Sequence, residues 1–166
     1  IGRNGSGKSV LLKMLCGFYV PSEGEIYLDD YNFIKNNEFP RDIGALIEKP
    51  SFLPNLTGYE NLKYLSNIQK KIDDNQIYST LKIVNLLDDK DKLYFKYSLG
   101  MKQKLGIAQA IMEDPEIIIL DEPFANLDWK GVKLVTSILK KLKEQNKTII
   151  ILTHEIEKIL ALTNRV

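Results

Sequence analysis

Gly2-Arg3-Asn4-Gly5-Ser6-Gly7-Lys8-Ser9 stands almost at the start of the chain, followed at once by Val10-Leu11-Leu12-Lys13-Met14-Leu15-Cys16. The first stretch matches Gly-x-x-x-x-Gly-Lys-Ser at every defined position, the P-loop pattern. Glycines tolerate φ > 0 and let successive backbone N–H groups approach an anion with no Cβ in the way. Lys8 supplies a mobile positive charge for terminal phosphates, and the Ser9 hydroxyl is placed to bind Mg²⁺. The apolar run predicts a helix ended by Gly17, with its positive end aimed at the phosphates. A flexible Gly/Ser loop would match these four positions by chance roughly once in a hundred chains of this size. The stretch therefore predicts a phosphate site in which Asn4, Gly5, Ser6, Gly7, Lys8, Ser9 and Val10 surround the nucleotide.

The other half of such a site is Ile117-Ile118-Ile119-Leu120-Asp121-Glu122. A buried apolar strand that ends in two carboxylates is costly unless both find partners. In an open parallel sheet, ligands collect beyond the carboxyl ends of the strands, where this pair falls. Asp121 is expected to hold the Mg²⁺ shell and Glu122 to orient and deprotonate an attacking water. His154, the one histidine, follows Ile149-Ile150-Ile151-Leu152-Thr153 at the end of another apolar run. Its place at the same sheet edge predicts contact with the γ-phosphate rather than a purely structural role.

Between these landmarks the patterning alternates. Residues 25–28 and 43–47 read as short strands, and residues 58–87 switch to helical spacing. Leu62, Leu65 and Ile68 form one apolar stripe there, and Ile77, Leu81 and Val84 another. Residues 88–92 read as a charged connector. Ser98 reads as the N-cap of a helix carrying Leu99, Leu105, Ile107 and Ile111. A helix over 132–142 and a strand over 148–153 complete the series. The order predicts a parallel α/β core with a helical insertion.

Composition is ordinary for one globular domain of 166 residues, with 44% hydrophobic and 27% charged side chains. With 23 basic against 22 acidic residues, the net charge of +1 gives no field for capturing nucleic acid or an anionic membrane. Cys16 is the single cysteine, which excludes an internal disulfide, and it reads as a small buried hydrophobe. No apolar stretch approaches the roughly 20 residues that span a bilayer. The opening residues do not read as a signal peptide.

The ordered motifs resemble the ATPase domain of ABC transporters over nearly the whole chain. After the P-loop come Leu56-Thr57-Gly58-Tyr59-Glu60-Asn61-Leu62, Tyr97-Ser98-Leu99-Gly100-Met101, Asp121-Glu122-Pro123, Ala125-Asn126-Leu127-Asp128 and Thr153-His154-Glu155. The resemblance implies a P-loop NTPase (RecA-like) parallel sheet core with a helical ABC subdomain. Residues 1–53 and 103–166 would form the core and residues 54–102 the subdomain leading into the signature motif. It implies ATP and Mg²⁺ as ligands, with Lys8, Glu122 and His154 catalytic and Ser9, Glu48 and Asp121 at the metal. It implies head-to-tail pairing with a second ABC ATPase domain, in which Ser98 and Gly100 face the partner's γ-phosphate and Asp128 crosses the interface. Transmembrane permease subunits would be the other partners, at the inner face of the cell membrane, with no nucleic acid involved.

Two positions depart from the family pattern. The signature usually reads Leu-Ser-Gly-Gly-Gln, and here Leu99 replaces its first glycine and Met101 its glutamine. Glu48 stands where the family usually has the glutamine of its Q-loop, which keeps an oxygen ligand but adds a negative charge. The stretches around Ile43–Pro50 and Tyr97–Gln103 are similar to the ATPases of bacitracin-type and lantibiotic-immunity exporters. A soluble ABC ATPase acting on ribosomes or DNA is the alternative. Its coiled-coil version does not fit the interval between Lys8 and Ser98, which lacks sustained heptads. Domains of the family carry strands before the P-loop, with an aromatic residue against adenine, and a strand after Val166. The chain is therefore expected to be a fragment of such a domain that folds poorly or associates on its own.

Overall fold

β-branched residues crowd positions 117–119 and 148–151, and such side chains favour extended, pleated backbone. In the computed structural model, which describes residues 6–28, 30–36, 38–154 and 163, these runs are neighbouring strands. A three-stranded parallel sheet contains β1 (Ile43–Leu46), β2 (Ile117–Asp121) and β3 (Thr148–Leu152), in that spatial order. Ile43 pairs with Ile117 and Leu46 with Leu120, while Ile117 pairs with Thr148 and Asp121 with Leu152. β2 is the central strand of the three, and Ile118, Ile119 and Leu120 are almost wholly buried.

Strand alternation divides the apolar residues between two layers. Ile118, Leu120, Ile149 and Ile151 face the larger core, packed by α2 (Gly58–Gln69), α3 (Asp74–Ile83), α4 (Leu99–Ile111) and α5 (Trp129–Glu144). Ile119, Ala45 and Ile150 face the smaller one, closed by Leu12 of α1 (Lys8–Leu15) and by Cys16 at its carboxyl end. The helices on both faces make the buried, parallel sheet physically workable. One continuous core joins Leu62, Ile77 and Leu81 of the helical region to Leu46 and Leu120 of the sheet, and α4 runs unbroken through residues 102 and 103.

Local signals set the helix ends. Gly17 at φ 77° closes α1, with its N–H donating to Met14 O and the Phe18 N–H to Lys13 O, the Schellman arrangement. Thr57 and Glu60 cap α2 reciprocally: Thr57 Oγ1 accepts from the Glu60 N–H at 3.1 Å, and Glu60 Oε2 accepts from the Thr57 N–H at 2.7 Å. Asp73, Ser98 and Asp128 cap α3, α4 and α5 in the same sense. Each such cap is worth about 1 kcal/mol. Asn61, almost fully buried, accepts from the Leu53 N–H and donates to the carbonyls of Leu53 and Thr57, which fastens the chain entering α2.

Four sequence expectations need correction. Residues 25–28 form no strand of the sheet; Leu28 makes only an isolated antiparallel bridge to Tyr31 across a tight turn. Alternation gives the side-chain pattern of a strand, but a strand also needs a ladder partner. Ile68 is 71% exposed although Leu62 is buried. Steps of three residues drift backward around a helix, so by the second step the side chain has swung about 120° from the first. Leu99 is 65% exposed and lies outside the apolar stripe that buries Leu105 and Ile107. The connector at 88–92 begins instead within a 3₁₀ turn, Leu87–Asp89.

Sheet and helix pack tightly at Gly44. A Cβ there would lie 1.7 Å from the carbonyl oxygen of Ala110 in α4. Gly44→Ala is therefore expected to destabilise the fold by about 1–3 kcal/mol in urea denaturation, because backbone rather than a movable side chain blocks the methyl group. An unchanged midpoint would show that α4 has room to withdraw. Burial pushes the Cys16 thiol up to about 11. At pH 8 it is expected to react with a disulfide reagent at least about tenfold more slowly than in the urea-unfolded chain.

Candidate active site

Parallel pairing brings the carboxyl ends of all three strands to one edge of the sheet. β1 runs out through Ile47 into Glu48, β2 ends in Asp121 and Glu122, and β3 leads to Thr153 and His154. The amino end of α1 meets the same edge, where the Ser9 hydroxyl donates to Asp121 Oδ2 at 3.1 Å. Asp121 is 6% exposed. Positions 112 residues apart in sequence thus place a hydroxyl and a carboxylate side by side, two hard oxygen donors of the kind Mg²⁺ takes alongside phosphate and water.

Gly7 caps α1 with φ 83°, a left-handed conformation with open space where a Cβ would be. Glycine is required there by the backbone angle and not by crowding. Lys8 begins the helix, and its Nζ lies 3.4 Å from Ser6 Oγ. A cavity of about 950 Å³ opens where the first turn of α1 meets the sheet edge. Gly7, Lys8, Ser9 and Val10 line it on one side, Glu48, Asp121 and Glu122 on another. The predicted ligands Asn4 and Gly5, and Glu155 after His154, lie outside the described residues.

Glu122 is held from several directions. Its N–H donates to Leu152 O at 2.7 Å, and its carbonyl accepts from Gln103 Nε2 at 3.0 Å. Its Oε2 accepts from the Thr153 hydroxyl at 3.1 Å, and its Oε1 from the His154 N–H at 3.1 Å. His154 Nδ1 stands 2.9 Å from the same Oε1, a contact that is a hydrogen bond when Nδ1 carries the proton. The structure thus sets His154 against Glu122. Glu122 sits at φ 48°, Glu48 at φ 60° and Asn126 at φ 60°, all left-handed and all on the cavity wall. Non-glycine residues adopt this region at a cost of about 1 kcal/mol or more each, which surrounding contacts must hold in place.

Glu48 is not left as a bare added charge. Lys13 Nζ donates to Glu48 Oε1 at 2.6 Å, and this bond holds the Lys13 ammonium above the ordinary lysine range. Ser98 and Gly100 do not line the cavity. Ser98 is exposed and its Oγ accepts from the Met101 N–H at 3.2 Å, while Gly100 lies against the carbonyl of Asn126. Leu99, Lys102 and Gln103 of the same helix do reach the wall. Gln103, 4% exposed, was not among the expected site residues. Nothing in the sequence singles it out: Gln103 stands between Lys102 and Lys104, and the same helix carries a second glutamine, Gln109, that is only half-buried.

Glycine-cradled helix N-terminus, paired carboxylates and parallel strand ends together define a P-loop nucleotide-binding α/β domain. Residues 1–125 match the family model described as ABC transporter, and the chain belongs to that family as its ATP-binding domain. It is 44% identical over 161 residues to YybJ, an ABC transporter ATP-binding protein of Bacillus subtilis (strain 168), covering 97% of this chain and 74% of that protein. It is 41% identical to the bacitracin transport ATP-binding protein BcrA of Enterococcus faecalis, covering 96% of this chain and 52% of that one, so it spans about half of that relative. The ATP-binding cassette MJ0796, solved as a dimer in a post-hydrolysis state bound to ADP and Pi, superposes with a TM-score of 0.83 at 28% identity, over 95% of this chain and 74% of that one.

The Gln103 contact has a measurable consequence. Gln103→Leu keeps the bulk but removes one of the two donors to the Glu122 carbonyl, which keeps the Ala125 N–H at 3.1 Å, and is expected to destabilise the protein by about 0.5–1.5 kcal/mol in urea denaturation. Wild-type stability in that variant would show that the Ala125 N–H alone satisfies the carbonyl.

Proposed function

We propose that the chain is the nucleotide-hydrolysing part of an ABC exporter of the bacitracin-transport type, working as a head-to-tail pair of domains. The observation that carries this reading is the Ser9–Asp121 contact beside a Glu122 carboxylate held by Thr153 and His154. Nucleotide phosphates would enter at the amino end of α1, against the backbone N–H groups and Lys8. Ser9 Oγ and Asp121 would hold Mg²⁺, with Glu48 reaching its water shell. Bound there, the ion would neutralise charge on the β- and γ-phosphates.

Glu122 is the base in this scheme. Its carboxylate takes a proton from a water whose oxygen forms a bond to the γ-phosphorus, and the β–γ bridging oxygen leaves with ADP. His154, beside the same carboxylate, keeps Glu122 pointed at that water and extends toward the γ-phosphate. In the pair, Ser98 and Gly100 would meet the nucleotide held by the other domain, and Asp128 would lie at the join. The half-exposed side chains of Leu53 and Phe95, next to a Phe52–Tyr94 edge contact at 5.3 Å, offer an apolar surface for the permease subunits. Substrate choice would rest with those subunits. A peptide antibiotic fits the bacitracin relative.

Glu122→Gln in the full-length protein tests the assignment. ATP turnover should fall about a hundredfold or more while Mg-ATP still binds, because the water loses its base and the phosphates keep their loop. ATP should then drive the variant into a stable dimer on a sizing column. Turnover equal to wild type would remove Glu122 from this role.

A further inference from the structure

Three carboxylates stand at the carboxyl ends of β1 and β2: Glu48, Asp121 and Glu122. A nucleotide would add several more negative charges to the same space, and like charges at short range repel strongly where water is partly excluded. Asp121 is engaged by Ser9, and Glu122 by Thr153 and His154. Glu48 is engaged by a residue that does not line the cavity: Lys13, one turn beyond Ser9 on the same face of α1.

The Lys13–Glu48 pair differs from an ordinary surface ion pair, in which two long side chains wander and little is gained. Glu48 leaves β1 on a left-handed backbone at φ 60°. The Lys13 ammonium lies 2.6 Å from Glu48 Oε1 and 5.6 Å from the centroid of the Tyr19 ring, a cation–π distance. The lysine side chain is 25% exposed and the glutamate side chain 61% exposed. Asp121 also acts on Lys13 electrostatically.

We propose that Lys13 is a positioning residue of the nucleotide site, whose ammonium cancels the charge of Glu48 and fixes where its carboxylate stands. Glu48 then offers an oxygen to the metal's water shell without repelling the phosphates. This rests on the metal–nucleotide reading given above. The simpler role for Lys13 is to stabilise the last turn of α1, where a cation suits the helix dipole. That role does not depend on residue 48.

A double-mutant cycle in the full-length protein separates the two. Binding of trinitrophenyl-ATP is measured by fluorescence in EDTA, and Mn²⁺ binding to the ADP-loaded protein by paramagnetic resonance. Lys13→Gln should weaken metal-free trinitrophenyl-ATP about three- to fivefold and tighten Mn²⁺ by a similar factor, because Glu48 is left uncompensated. Lys13→Arg should restore both values, since it keeps the charge. With Glu48→Gln in place, Lys13→Gln should change either value by less than about twofold. Equal effects of Lys13→Gln with glutamate or glutamine at 48 would overturn the proposal, as would Lys13→Arg behaving like Lys13→Gln. If the wild-type protein bound trinitrophenyl-ATP neither with nor without Mn²⁺, the nucleotide reading itself would fall instead.

Discussion

Parallel strand pairing is the constraint from which the rest of the molecule follows. Because β1, β2 and β3 run the same way in register, the residues just past each strand end meet at one edge. That edge is where backbone hydrogen bonding stops and side chains must take over. Glu48, Asp121, Glu122, Thr153 and His154 all fall there. The helix that closes the smaller core, α1, has its amino end at the same place, so its dipole and Ser9 face the acids. An antiparallel β3 would carry Thr153 and His154 to the opposite edge, and Glu122 would lose both partners.

The edge is expensive to maintain, and the structure shows how it is held. Glu122 and Glu48 occupy left-handed backbone conformations that a β-branched neighbour could not share. Glu122 is fastened by β3 through Leu152 and by α4 through Gln103, two elements that approach it from different sides. α4 can come so close only because Gly44 has no side chain opposite Ala110. A packing feature at the amino end of β1 thus bears on the placement of a carboxylate beyond the end of β2. Stability and chemistry are coupled here through one helix, whose first residues also carry the exposed Ser98 and Leu99.

Most secondary structure was legible because it rests on short-range physics. The Gly17 stop and the Ser98 cap use hydrogen bonds between residues a few positions apart, while the strands at 117 and 148 announce themselves by β-branched density and the one at 43 by its short apolar run. The failures share a cause. Residues 25–28 alternate like a strand yet have only the single Leu28–Tyr31 bridge among the described residues, and Ile68 and Leu99 sit on helices whose buried side is chosen by what packs against them. Apolar identity alone does not reveal that choice.

Sequence alone determined which groups gather at the strand ends: a glycine-rich loop, a hydroxyl, two acids and a histidine, each marked by its place next to a glycine turn or an apolar run. Only the tertiary structure decided how these groups are paired. That Lys13 neutralises Glu48, that Gln103 holds the Glu122 carbonyl, and that His154 leans on Glu122 all depend on strand order, register and helix approach between residues 19 to 35 positions apart. Those distances are set by the packing of whole layers, and no local pattern of residues encodes them.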